Sequence, residues 1–214
     1  MKKLAFALAA ILLLLSSCKK DEVIYRSVFF SGFVDGRTIT TDDGFTLHIT
    51  GETTMDTVKV NRHVFAICDI LKTISDKEYE VFVSSWVQPL TKPSVKKSSL
   101  DPSNPLADDP LAVNAAWSCG DYLNLELALP YYGATTHILT MVEDDTADHG
   151  DTLCLRMYHN GGTYSGSDLA IASSHVRAYY SLPMESLVPA GDTVVVHLSW
   201  TYDGPYDATF NYYR

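Results

Sequence analysis

Tyr122-Leu123-Asn124-Leu125-Glu126-Leu127-Ala128-Leu129 is the stretch that decides the fold. Leucine takes every second position, so on an extended chain all four leucines point to one side. Tyr122, Asn124, Glu126 and Ala128 point to the other. A helix would scatter the same leucines around its circumference. Val194, Val196, Leu198 and Trp200 repeat the pattern opposite Val195, His197, Ser199 and Thr201. Asp203-Gly204-Pro205 then turns the chain into a last strand, where Phe210 and Tyr212 share a face. About seven strands between residues 113 and 214, bounded by turn residues, predict an immunoglobulin-like β-sandwich. The stretch from Ser181 to Pro189 has room for one short helical turn.

Residues 26–88 alternate in the same way. Val28, Phe30, Gly32 and Val34 share a face, and Asp42-Asp43-Gly44 reads as a hairpin turn. After it, Phe45, Leu47 and Ile49 oppose Thr46, His48 and Thr50. Val64 to Leu71 is nearly all apolar, as a strand covered on both faces would be. Ser75-Asp76-Lys77 turns into Tyr79, Val81, Val83 and Ser85. Five short strands in about 60 residues suit a small all-β barrel of the OB or SH3-like type. Five of the nine prolines (Pro89, Pro93, Pro102, Pro105 and Pro110) fall between the two modules. Proline lacks an amide donor and resists central strands, so residues 89–112 read as a Pro-rich connector.

The N-terminus gives an address. Lys2 and Lys3 precede an unbroken apolar run from Leu4 to Leu15, and Leu15-Ser16-Ser17-Cys18 follows the pattern of a lipobox. Twelve helical residues span only about 18 Å, too short for a bilayer core of about 30 Å. Residues 1–17 are therefore expected to be a lipoprotein signal peptide. Cys18 is the expected site of lipidation by diacylglycerol and fatty acyl chains such as palmitate, and residues 18–25 form the lipidated tether. Lys20-Asp21-Glu22 resembles a short export signal of surface lipoproteins, which suggests anchorage in the bacterial outer membrane with display at the cell surface.

The order of these pieces carries a resemblance. A lipobox, a five-strand module, a Pro-rich connector and then Trp117-Ser118-Cys119-Gly120-Asp121-Tyr122-Leu123-Asn124 follow one another. Supporting stretches are Asp42-Asp43-Gly44-Phe45-Thr46-Leu47, Arg62-His63-Val64-Phe65-Ala66, Leu90-Thr91-Lys92 and Tyr158-His159-Asn160. The strand Val176 to Leu182 runs into Pro183 to Leu187. Together they resemble the NigD-like lipoproteins over nearly the whole chain. The resemblance implies an N-terminal OB-type barrel and a C-terminal β-sandwich. It also implies an association with bacteriocin immunity. The connector holds more prolines than that pattern. Gly161-Gly162 stands where an Asp would be expected beside His159-Asn160, so no ligand role is assigned there.

Composition narrows the partners. A net charge of −10 argues against nucleic acid, which is bound through clustered Lys and Arg. Loss of Lys2 and Lys3 with the signal makes the exported chain more acidic still. Cys68, Cys119 and Cys154 remain beside Cys18 without any CxxC spacing. They read as buried thiols, with a Cys119–Cys154 disulfide as the less favoured alternative. The seven histidines are scattered, mostly on strand faces where alternation predicts solvent, and show no metal-ligand spacing. Glu143 to Asp151 is the densest acidic run. It lacks the spacing of a calcium loop and reads as a solvated turn.

No G-x-S-x-G, HExxH or P-loop pattern occurs in the chain. No catalytic, metal or cofactor residue is therefore named, and an enzyme ranks third among the readings. Eleven of thirteen tyrosines lie from Tyr122 onward. Sheet propensity explains most of that enrichment. Tyr131, Tyr132, Tyr179, Tyr180 and Tyr213 are nevertheless the candidates for an exposed aromatic platform. The leading reading is a non-enzymatic envelope lipoprotein that binds a protein, peptide or glycan. A structural accessory subunit of an envelope complex is the alternative.

Overall fold

The computed structural model describes residues 24–53, 62–131, 136–162 and 174–214. The expected signal peptide, Cys18 and most of the tether lie outside them. The chain divides between Trp86 and Val87 into two units, each with its own core.

In the first unit, five strands close into a barrel. They are β1 (Tyr25–Asp35), β2 (Thr38–Thr41), β3 (Thr46–Glu52), β4 (Arg62–Ser75) and β5 (Glu78–Val87), in the order β1-β2-β3-β5-β4. The pair β3–β5 is parallel; β1–β2, β2–β3 and β1–β4 are antiparallel. The expected inward row of β1 does face the core. Gly32 is required in that row, because a Cβ there would lie 2.3 Å from the Thr40 carbonyl oxygen. The Asp42-Asp43-Gly44 turn forms between β2 and β3, with Gly44 at φ 85° in the left-handed region. The Thr41 hydroxyl locks it by accepting from the Phe45 amide at 2.8 Å and donating to Asp43. In β4, Val64, Phe65 and Ala66 are buried, as a strand covered on both faces requires, but Ile67 is 39% exposed. Cys68 is fully buried, and burial, helped by the charge of Asp69, pushes its thiol up to about 12.

The second unit is the sandwich. Seven longer strands arise, the number expected: β8 (Ala112–Cys119), β9 (Tyr122–Tyr131), β10 (Ile138–Glu143), β11 (Thr152–Asn160), β12 (Ser174–Pro183), β13 (Thr193–Thr201) and β14 (Pro205–Tyr213). Two further strands of two residues each, β6 (Leu90–Thr91) and β7 (Val95–Lys96), complete the sheets. One sheet runs β14-β13-β11-β10-β7 and the other β6-β12-β9-β8. Leu123, Leu125, Leu127 and Leu129 form the inner row of β9 and meet Met141, Leu155, Met157, Val196, Leu198 and Tyr212. Each such side chain contributes roughly 1.5–3 kcal/mol by leaving water. The β11–β13 pair is parallel, unlike an all-antiparallel sandwich. At the expected helical turn, the Leu187 and Val188 amides both donate to the Met184 carbonyl at 2.9 Å.

The connector expected at 89–112 belongs to this second unit. Its first half pairs in parallel with an outer strand of each sheet, β6 on β12 and β7 on β10, so the chain crosses between the sheets at Lys92–Ser94. Lys92 donates its amide to the Ser181 carbonyl and accepts from the Tyr180 hydroxyl at 2.9 Å. Further on, Leu111 is fully buried and donates to the Thr201 carbonyl. The prolines misled because a short parallel edge pair needs amides only from the residues between them.

Candidate functional site

The outer side of the four-stranded sheet is not open where Asn124 and Ser181 lie. Both are fully buried there, and the Ser181 hydroxyl donates to the Asn124 side-chain oxygen at 2.6 Å. The outer side of the five-stranded sheet is different. Alternation along β11 and β13 puts Leu155, Met157, Val196 and Leu198 inward, and Cys154, Arg156, Tyr158, His197 and Ser199 outward. The parallel register sets Cys154 beside His197 and Arg156 beside Ser199. Lys97, Val142, Asp144 and His149 complete a cleft of about 280 Å³.

Nearly every charge in this cleft has a partner. Lys97 Nζ donates to Asp144 Oδ2 at 2.7 Å, and the Thr146 hydroxyl donates to Asp144 Oδ1 at 2.6 Å. These bonds hold the Asp144 carboxyl well below the usual carboxylate range. The neighbouring Asp145 accepts from the amide and hydroxyl of Ser98. The acidic run is therefore pinned to Lys97–Ser98 and is only partly the free, solvated turn expected. Arg156 Nη2 donates to Asp108 Oδ2 at 2.6 Å and to the Thr201 hydroxyl at 2.9 Å, and its guanidinium lies 5.2 Å from the Tyr158 ring centre. His197 Nε2 lies 3.3 Å from Asp207 Oδ2. One polar atom is left over. His149 Nε2 is buried, makes no hydrogen bond among the described residues, and stands 3.9 Å from Asp144 Oδ2.

Asp144 is held ionised and does not serve as a proton donor. Burial, then the charge of Asp144, raises the Cys154 thiol above its ordinary value. No group of three or more His, Cys, Asp or Glu side chains suited to a metal ion occurs among the described residues.

The expected tyrosine platform does not assemble as one surface. Tyr180 is fully buried in the sandwich core, and burial raises its hydroxyl far above its ordinary value, so it offers no ring to a ligand. Its parity on β12 matches the inward Leu182, which alternation from that leucine could have revealed. Tyr213 is 64% exposed on β14, whereas Tyr179 is half-buried on β12, in the other sheet. The Tyr131 side chain and Tyr132 lie outside the described residues. The cleft residues Arg156 and Tyr158 escaped the sequence reading, although the alternation Cys154-Arg156-Tyr158 was there to be read.

Most of the seven histidines were expected to face solvent, and two of them are buried. His63, 3% exposed, lies with Nε2 2.7 Å from Asp42 Oδ2 and ties the β2–β3 turn to β4. His159, 2% exposed, pairs with His137. Cys119 and Cys154 sit in different sheets, and Cys154 carries a free thiol.

Solved structures reproduce this fold. A NigD-like immunity protein from Bacteroides caccae matches at 21% identity with a TM-score of 0.67, covering 89% of this chain and 97% of its own. A candidate toxin-related protein from Parabacteroides distasonis matches at 19% identity and a TM-score of 0.67, covering 87% and 93%. A candidate lipoprotein from Bacteroides fragilis matches at 12% identity and a TM-score of 0.63, covering 88% and 98%. No curated protein matches the chain. The NigD-like C-terminal beta sandwich domain matches residues 94–212, which begin within the stretch expected as connector and end within β14. With more than half of its length matched, the chain belongs to the NigD-like family.

Proposed function

We propose that the chain is a lipid-anchored envelope protein that binds rather than catalyses, and that its ligand enters the cleft on the outer face of the five-stranded sheet. The observation that carries this reading is His149 Nε2, a buried polar atom without a hydrogen bond in a cleft whose other charges are paired. An unsatisfied buried group costs about 1–3 kcal/mol, and a ligand that bonds to it recovers that energy. Because Lys97 and Arg156 are already held by Asp144 and Asp108, the cleft suits an uncharged polar ligand, a peptide backbone or a glycan, with Tyr158 as its flat wall. Nucleic acid does not fit a chain of net charge −10.

Attachment through Cys18 places this binding at the envelope, in the outer membrane and facing the cell exterior. The lipobox supports it, as does the likeness to a candidate lipoprotein. No helix among the described residues is long and apolar enough to cross a membrane. Likeness to a NigD-like immunity protein favours a protective role, in which a toxin is the protein ligand. The test follows the imidazole resonances of His149 while envelope polysaccharide and, separately, tryptic envelope peptides are titrated in. One of the two is expected to shift His149 and His197 together, and His149→Ala to weaken the binding about tenfold or more, the loss of one buried hydrogen bond. Saturation with both classes leaving His149 unmoved would remove the cleft from the function.

A further inference from the structure

The four edges of the sandwich are not treated alike. In the five-stranded sheet the edges are β14 and β7; in the four-stranded sheet they are β6 and β8. Strands β6 and β7 have two residues each, and β8 carries an irregularity between Val113 and Ala115. Short strands and bulges are the devices that stop a sheet from recruiting another strand. Strand β14 has neither. It is nine residues long, pairs with β13 in unbroken register from Thr193↔Tyr213 to Thr201↔Pro205, and contains no lysine. Its only proline is its first residue.

The direction of its backbone groups follows from two bonds beyond the strand. Gly191 donates to the Arg214 carbonyl at 3.0 Å, and Arg214 donates to the Asp192 carbonyl at 3.1 Å, so the groups of Arg214 point toward the β13 side. Direction alternates along an antiparallel strand. The groups of Tyr212, Phe210 and Ala208 therefore face β13, and those of Tyr213, Asn211, Thr209 and Asp207 face away from it. All four of these residues are exposed, and no strand pairs with this side among the described residues.

We propose that β14 pairs with β14 of a second copy of this chain, antiparallel about a two-fold axis at Thr209, joining two five-stranded sheets into one. The choice of a second copy rests on self-complementarity. Centred on Thr209, the pairing uses the whole strand. Thr209 meets its own copy, Asp207 meets Asn211, and Tyr213 meets Pro205. The missing proline amide falls at the rim, where Pro205 need only accept from Tyr213. No like charges oppose each other. An axis at Asp207 would set carboxylate against carboxylate, and an axis at Asn211 would leave the first half of the strand unpaired. Ala208 and Phe210, half-buried on the inner side, continue the core across the joint.

Cross-linking of the full chain tests this register. In a hydrogen-bonded antiparallel pair the Cα atoms stand about 5.5 Å apart, within the span of a disulfide. Thr209→Cys is expected to give a reducible dimer under mild oxidation, while Thr140→Cys on β10 stays at the background of the unsubstituted chain. A charge test runs beside it. Thr209→Lys and Thr209→Asp, both at an exposed position, should each lower the dimer fraction several-fold, and a mixture of the two should restore it. Unchanged far-ultraviolet dichroism shows that the variants remain folded. The proposal is overturned if Thr209→Cys links no better than Thr140→Cys. It is overturned equally if the Lys and Asp variants dimerise as the unsubstituted chain does, or if the chain is a monomer whose β14 takes up only another protein's strand.

Discussion

His159 donates from Nδ1 to the Pro110 carbonyl at 2.9 Å, which leaves Nε2 as an acceptor for His137 Nδ1, also at 2.9 Å. The two rings stack at 22°. The contact cannot survive protonation of both rings. Burial lowers both imidazoles below their ordinary value, and for His137 the charge of His159 adds to it. A His depressed in the folded state binds fewer protons folded than unfolded, so stability rises with pH across this range. The contribution is fully present above the unfolded value of about 6.5 and is lost as pH falls from there toward the folded values. The urea midpoint should therefore drop between about pH 7 and pH 5, with a slope of at most about 1.4 kcal/mol per pH unit for each extra proton. His137→Gln should flatten it. A midpoint indifferent to pH in the unsubstituted chain would show that the pair does not titrate with folding. Nothing in the spacing of His137 and His159 announces this contact, because twenty-two residues separate them and their meeting depends on the β10–β11 register.

At the scale of elements, alternation was a sufficient guide wherever one face is covered. The leucine row of β9 and the valine row of β13 stand where an extended chain must put them, and the Asp-Asp-Gly turn forms for the reason its residues suggest. Two features escaped because their cause is not local. Parallel pairing of β11 with β13 joins strands separated by the whole of β12. The strands β6 and β7 are too short to show any period, and they exist because β12 and β10 offer them edges. The same reasoning revises where a protease should cut. Residues 90–99 are held by strand pairing and by Asp144 and Asp145, and Asp109 to Leu111 by bonds to β11 and Thr201. Asp101 to Pro105 are exposed and outside any strand. Limited digestion is therefore expected to nick between about residues 100 and 107, because proteases need backbone that can leave its partners. The two pieces should stay together, since both flanks belong to one sandwich. Fragments ending between Leu90 and Ser99 would mean that β6 and β7 do not hold.

For the whole molecule, fold and address come from different parts of the chain. The described residues build two β units, and no helix among them is long and apolar enough to cross a membrane. In the proposed envelope anchorage the tie is the N-terminal stretch, where Cys18 follows a hydrophobic run too short to span. One acyl chain binds a bilayer weakly, while two or more anchor it stably, so a thioether-linked diacylglycerol suffices without help from the protein surface. A net charge of −10 repels anionic lipid. Removing the thiol should then remove the whole anchorage rather than part of it. Cys18→Ala is expected to move the chain from the detergent phase to the aqueous phase on phase partitioning, or to leave it uncleaved with its apolar run attached. Metabolic labelling with a fatty acid separates those outcomes from a failed idea, because neither form can take up label at residue 18. Label that persists in Cys18→Ala would place the lipid elsewhere. The membrane address would then rest on a surface that neither unit reveals.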